Sequence, residues 1–424
     1  MALKVAVVGG GSTYTPELVE GFAARSELLP VDELVLLDID GERLEVVGGL
    51  ARRILRRAEW PGRLTVTRDR DRALDGADFV IVQLRVGGQA ARLVDETLPL
   101  RYGCIGQETT GPGGFAKALR TVPVVLEIAE ETATRGAAGA WIVDFTNPVG
   151  IVTQALLDEG HRAIGLCNVA IGFQRRFAKY FDVVPEGVEL EHVGLNHLSW
   201  ERAVRVNGED RLPELLEDGL DQMAELVELP AHLIRLLGAL PSGYLRYYYM
   251  TQSVLDEQRS KPSRAEEVIA IERDLLELYT DSSLDTKPAV LERRGGAYYS
   301  EAAAQLVASL HAGEGDVQVV DVRNDGAIPN LAAADVVEVG ARIDRDGARP
   351  LEVAPLGPDM LGLVEHAKAY ERLTVGAALT GDRSVALKAL LTNPLVGDYR
   401  TAAPLLEALL DANRRHLPRF FPRG

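Results

Sequence analysis

The opening run Leu3-Lys-Val-Ala-Val-Val8 breaks directly into Gly9-Gly10-Gly11-Ser12. Glycines at the end of a strand permit a tight turn and a backbone approach that side chains forbid. More apolar runs follow: Leu34–Leu37 stopping at Asp38, Leu64–Thr67 leading into a helical turn at Arg70–Asp75, Asp78–Leu84, and Trp141–Phe145 ending at Thr146-Asn147-Pro148. A longer helical stretch covers about 115–135. Strands alternating with helices predict a parallel, doubly wound sheet. In such sheets the loops at the carboxyl ends of the strands form the binding crevice. Gly9–Gly11, Arg85–Gly88 and Asn147 all lie in loops of that kind.

After about residue 165 the alternation fades. Helical patterns at 210–240, 264–280, 297–312, 360–380 and 401–414 are interrupted by β patterns near 188–206, 317–322 and 335–341. The expectation is an α/β chain with an N-terminal Rossmann-like domain over 1–165 and a C-terminal mixed α+β domain over 166–424. No Pro/Ser-rich linker separates them, so a shared interface is expected. Lys plus Arg total 46 against 63 Asp plus Glu, a formal charge of −17. That excess repels nucleic acid and anionic lipid surfaces, so neither is an expected partner. No run approaches the ~20 apolar residues of a spanning helix. The start lacks the length and cleavage site of a signal peptide. Two cysteines cannot form a disulfide framework. A cytoplasmic location is expected.

Four motifs carry candidate chemistry. The turn Gly9-Gly10-Gly11-Ser12 before a helix can hold a pyrophosphate or can be a plain tight turn, since Tyr14 replaces the last glycine of G-x-G-x-x-G. Asp38, at the end of the next apolar run, is placed to accept a ribose hydroxyl and to repel a 2′-phosphate, which favours NAD over NADP. The polar, glycine-rich tract Gln83–Gly88, Arg92 and Gly106–Phe115 faces a ligand or is a surface crossover. Cys167 and His197, each in a glycine-flanked setting, either meet at one metal or are ordinary core residues. Two ligands are too few for a structural zinc site, so the metal reading requires an open site completed by substrate oxygens. Tyr244 follows Pro241-Ser-Gly at an expected helix start, where the helix dipole favours a phenolate. Tyr247–Tyr249 read as core packing.

Taken in order, GGGSTYTPEL, LPLRYGCIGQETTGPGGF, DFTNP, LCN, GLNH, SGYLRYYY, SRAEEV, RRGGAYYS and VRNDGAIPN resemble the family 4 glycoside hydrolases, in particular their 6-phospho-β-glucosidase branch. The resemblance runs from residue 9 to about 330. It implies tightly bound NAD, a divalent cation such as Mn2+, and a small-molecule sugar (phospho)glycoside as substrate. The implied reaction oxidises sugar C3, removes the acidified C2 proton, expels the C1 substituent, adds water and returns the hydride. Position by position, Cys167 and His197 match the metal ligands, Tyr244 the base and Glu108 an acid beside it. Arg92, Asn147, Asn168 and Arg264 match substrate contacts, and Gly9, Gly10, Gly11, Ser12 and Asp38 the cofactor site. Glu108 is expected to raise the phenol's pKa and strengthen its conjugate base. Asn168 after the metal-binding cysteine resembles the β branch, whereas Ala170 departs from the proline expected there. The resemblance also implies a homo-oligomer, a dimer or tetramer. The alternatives are a malate- or lactate-type dehydrogenase and a non-catalytic NAD-sensing sugar-binding protein.

Overall fold

The computed structural model describes residues 3–295, 298–313 and 315–422. Six parallel strands, β1 (Leu3–Val8), β2 (Val31–Leu37), β3 (Arg63–Thr67), β4 (Phe79–Val82), β5 (Trp141–Asp144) and β6 (Ala163–Gly165), stand in the order β3-β2-β1-β4-β5-β6. Successive residues of a strand face opposite sides. Val5 and Val7 enter one core with Leu34, Leu36 and Ile81, and Ala6 and Val8 enter another with Val35, Leu37 and Val80. Both faces are covered, which is why these runs are apolar throughout. The chain leaves β1 for β2 on one side and returns to β4 on the other. At that switch point Gly9–Gly11 and Gln83–Gly88 stand side by side, the place where sheets of this kind bind ligands.

A second sheet follows, made of β7 (Val188–Leu195), β8 (Leu198–Val206), β9 (Glu209–Asp210) and β10 (Leu240–Pro241). Its order is β10-β8-β7, with β9 paired to β8. Then β11 (Val317–Arg323), β12 (Val336–Asp344) and β13 (Gly347–Pro350) rejoin the first sheet as antiparallel additions, Asp321 of β11 pairing with Gly165 of β6. The resulting nine-stranded sheet crosses residue 165. The boundary drawn there from the sequence marks the end of parallel addition, not the edge of the sheet. Alternation with helices stops because antiparallel neighbours need no crossover helix.

The helix expected over about 115–135 runs from Gly111 to Arg135, with Pro112 in its first turn. The stretch 210–240 is three helices, Leu212–Glu217, Leu220–Val227 and Ala231–Leu237, leading into β10. Gly219, Glu228 (φ +54°) and Pro230 divide it. The remaining expected helices are Arg264–Tyr279, Tyr299–Ala312, Pro358–Thr380 and Tyr399–Ala412. Ala297, where one was expected to begin, lies outside the described residues. Among the described residues no helix is long and apolar enough to cross a membrane.

Across the join between the sheets, His192 of β7 sits between two carboxylates. Its Nδ1 lies 2.7 Å from Glu201 Oε1 of β8, and its Nε2 lies 2.9 Å from Glu338 Oε2 of β12. Burial opposes the imidazolium, but Glu201 and Glu338 outweigh it and push the imidazole up to about 10. Removing one partner of a buried ionic group leaves uncompensated charge and costs about 3–5 kcal/mol. His192→Leu is therefore expected to lower unfolding stability by about that amount at neutral pH. A raised folded-state pKa gives stability fully present below 6.5 and lost as pH rises through about 10. Urea midpoints of parent and variant should accordingly converge across that interval; a gap that stays constant contradicts the charged bridge.

Candidate active site

The metal pair is built by two turns. After β6, Leu166 N–H donates to the Asp144 carbonyl (3.0 Å), and Cys167 and Asn168 lead into helix Val169–Tyr180. Between β7 and β8, Asn196 and His197 form a two-residue hairpin turn. Gly194, at φ +135°, has no room for a side chain: a Cβ would lie 2.3 Å from the Leu198 carbonyl oxygen. His197 itself adopts φ +128°, a backbone state that costs a non-glycine residue of order 1–3 kcal/mol. The two turns bring Cys167 Sγ to 3.5 Å from His197 Nε2, both buried. That separation suits two donors reaching one cation at bond lengths of about 2.0–2.3 Å. Thr109 Oγ1, 3.1 Å from Nδ1, orients the imidazole. Burial pushes His197 down to about 4, so its ring is neutral and its lone pair available. Burial, followed by Glu338, raises the Cys167 thiol well above its ordinary value, which a bound cation would offset. Among the described residues no third His, Cys, Asp or Glu completes the set. The coordination sphere needs oxygens from elsewhere.

Tyr244 arrives by strand pairing. Leu240 and Pro241 of β10 pair with Glu201 and Trp200 of β8, and the chain then turns through the 3₁₀ segment Gly243–Leu245. The Tyr244 ring stacks on His197 with centroids 3.9 Å apart and planes 11° from parallel. The expected dipole-favoured phenolate is not what the fold provides. Tyr244 lies in the 3₁₀ turn that opens helix Arg246–Tyr249, the helix start expected from the sequence, but burial, then Cys167, raises its phenol above the ordinary value. A cation held by the neighbouring pair would supply the opposite bias.

Glu108 is clamped by cations. Arg85 bonds it, Lys117 Nζ lies 2.7 Å from its Oε2, and Arg92 Nη2 lies 3.4 Å from its Oε1. Burial would raise this carboxyl, yet Arg85, Lys117 and Arg92 hold it well below the usual range. Glu108 raises the phenol in the expected direction, after burial, Cys167 and Tyr247. Burial and Arg85 push Lys117 down to about 7. Lys117 escaped the sequence reading because it looks like one polar position of a long helix. Asn147 follows β5, and its buried Oδ1 has no hydrogen-bond partner among the described residues, the state of an acceptor awaiting a ligand hydroxyl. Arg264 makes its hydrogen bonds within its own neighbourhood. It is exposed at the start of helix Arg264–Tyr279, bonded to Glu267 Oε2 (2.8 Å) and the Arg293 carbonyl (2.7 Å).

At the glycine turn, Gly9 and Gly10 N–H both donate to the Leu37 carbonyl, and Gly11 N–H donates to Asp38 Oδ2 at 2.9 Å. Helix Thr15–Ala23 begins beside Ser12 with no side-chain cap, so its start is open to an anion. Asp38 accepts one further bond, from Asp40 N–H, and a carboxylate's four lone-pair sites leave room for a ribose hydroxyl. The residues fit a dinucleotide. Glu272, missed in the sequence, buttresses this turn by accepting from Arg43, Arg294, Gln89 and Thr13. Burial would raise its carboxyl, but Arg294 and Arg43 bring it down to about 2.

The hairpin supplies a direct test. Gly194→Ala is expected to disturb the turn that presents His197 and to destabilise the fold by about 1–3 kcal/mol. It should also reduce the thermal shift that added manganese produces in the parent. A variant with parental stability and an undiminished manganese shift would separate the turn from the metal pair.

Residues 4–183 match the family 4 glycosyl hydrolases, and residues 192–396 match the family's C-terminal domain. A probable 6-phospho-β-glucosidase of Bacillus subtilis (strain 168) is 43% identical over 434 residues, covering 99% of this chain and 98% of that protein. The structure of the 6-phospho-β-glucosidase from Thermotoga maritima with manganese, NAD+ and glucose-6-phosphate matches with TM-score 0.93 at 38% identity, over 98% of this chain and 99% of that one. Malate dehydrogenase from Plasmodium falciparum, 14% identical with TM-score 0.56 over 89% of this chain and 98% of that one, shares the fold alone. With both halves matched and near-complete coverage at 43% identity, the chain belongs to family 4 of the glycosyl hydrolases.

Proposed function

We propose that this chain hydrolyses 6-phospho-β-glucosides, using NAD and a divalent cation, Mn2+, as cofactors. The observation that carries the reading is the convergence of Cys167, His197 and the stacked Tyr244 on one point, in a chain matched almost end to end by 6-phospho-β-glucosidases. Asn168 after the cysteine supports the β branch over a chain with an acid at that place. The dinucleotide belongs to residues 1–165 and the metal pair to 166–424, with sugar contacts drawn from both parts, which share the nine-stranded sheet. Two free, buried cysteines support a reducing, cytoplasmic setting. The proposed dimer or tetramer rests on the family resemblance.

When bound, the dinucleotide supplies a hydride acceptor for sugar C3, and the cation polarises the sugar oxygens at C2 and C3. Gly9, Gly10, Gly11, Ser12 and Asp38 hold the former; Cys167 and His197 hold the latter. Tyr244, once biased to its phenolate by a cation at that pair, would take the C2 proton on its phenolic oxygen, beside the ring of His197. Arg92, Asn147, Asn168 and Arg264 bind and orient the phosphosugar. Glu108 keeps Arg85, Arg92 and Lys117 assembled at the edge of the site, where their positive charges attract a phosphorylated ligand. An amide at Asn168 gives no proton to the departing oxygen, so the aglycone leaves with water's help or by its own leaving ability.

Paired assays on p-nitrophenyl β-glucoside and its 6-phosphate are expected to show turnover of the phosphorylated substrate only when NAD and manganese are both present. Hydrolysis by thoroughly NAD-free protein would sink the redox mechanism. Tyr244→Phe should bind NAD normally yet lose about 10²–10⁴-fold in turnover. Solvent deuterium should enter at C2 of the product in the parent and much less in the variant. Near-normal turnover in Tyr244→Phe removes it as the base.

A further inference from the structure

Glu96 joins two elements that carry the proposed sugar-binding arginines. It lies one turn after Arg92 on helix Gly88–Thr97 and is buried. Its Oε1 accepts from Arg92 Nε at 2.7 Å. Its Oε2 accepts from Ala265 N–H at 2.6 Å, in the first turn of the helix that begins with Arg264. That N–H is one of the donors a helix start leaves without an intrahelical partner. Ser263 and Glu266 complete the cap from the helix's own side. A third element rests on the same residue. A Cβ on Gly106 would lie 1.8 Å from the Glu96 carbonyl oxygen, so the loop bearing Glu108 lies flush against it. Arg92 is thereby held from two directions, by Glu96 through Nε and by Glu108 through Nη2.

We propose that Glu96 is a positioning residue for substrate selection. One carboxylate fixes the guanidinium of Arg92 and the helix start bearing Arg264 at a single spacing, and so sets the preference for a sugar with an anionic 6-substituent. The inference rests on the function proposed above. The chemistry calls for a carboxylate. Both oxygens act as acceptors toward donors on opposite sides, and an amide of the same shape offers one acceptor and one donor. In Glu96→Gln an N–H must therefore face either Arg92 Nε–H or Ala265 N–H. One arm of the link is lost with little change in volume.

The test compares parent, Glu96→Gln, Glu96→Asp, Arg92→Ala and the double variant Arg92→Ala/Glu96→Gln, all loaded with NAD and manganese. Glu96→Gln is expected to raise KM for p-nitrophenyl β-glucoside 6-phosphate and Kd for glucose 6-phosphate about 10- to 100-fold, the usual effect of losing a charged hydrogen bond. Its kcat should stay within about threefold and its NAD affinity at the parental value. Glu96→Asp keeps the charge on a shorter stem and should recover part of the loss. In the Arg92→Ala background the Glu96→Gln effect on KM should largely vanish, because interactions through one shared residue are not additive. Full additivity, or a parental KM in Glu96→Gln, overturns the inference. Should Glu96→Gln fail to fold, Glu96→Asp decides: an unchanged KM overturns the inference and a raised KM at parental kcat supports it. A parent that neither cleaves nor binds the phosphorylated sugar overturns the proposed function and this inference together. A parent that does both, with unaffected variants, overturns this inference alone.

Discussion

A charged imidazole between two buried carboxylates holds this molecule together where its two sheets meet. His192, Glu201 and Glu338 come from β7, β8 and β12, so one bridge links the small antiparallel sheet to the far side of the nine-stranded one. Buried ions of this kind are tolerated only when each charge is compensated and hydrogen-bonded. The same Glu338 also accepts from Asn196 Nδ2 at 3.2 Å, which anchors the hairpin turn carrying His197. The distance between His197 and Cys167 thus depends on a contact outside the site. Tyr244 inherits its place from the same arrangement, because β10 reaches it by pairing along β8.

Charge compensation is the second organising rule. The chain carries a formal charge of −17, yet the site gathers Arg85, Arg92 and Lys117 around Glu108. Nearby, Asp95 holds Arg120 through both carboxylate oxygens, and Asn413 accepts from the same guanidinium. This secures the C-terminal segment against the helix that carries Lys117. At the dinucleotide crevice Glu272 plays the matching part for Arg43 and Arg294. Glu108 and Glu272 each restrain several long side chains at once, and those side chains lose much of the entropy that would otherwise blur the site.

Much of the N-terminal architecture was legible in the sequence because periodicity is local. The apolar runs of β1, β2, β4 and β5, the glycine turn and Asp38 after β2 are all written in consecutive residues. Cys167 and His197 were legible as a candidate pair because each closely follows a glycine, Gly165 or Gly194, and Gly194 proves to be demanded by the hairpin. Tyr244 was found by resemblance, and the helix start expected there is present, a 3₁₀ turn opening helix Arg246–Tyr249; its stacking on His197 was not legible. The return of β11–β13 to the first sheet left no local trace. An antiparallel strand has the same alternation whichever edge it joins. Lys117, Glu272, His192 and Glu338 were equally invisible, since each has its partners tens to hundreds of residues away or on another element. The sequence by itself determined which segments become strands, where the backbone must turn tightly and which residue types stand at the turns. Only the tertiary structure decided which charges are buried together, and hence which groups are ionised. Ionisation follows burial and neighbouring charge in three dimensions, and neither is a property of residue order.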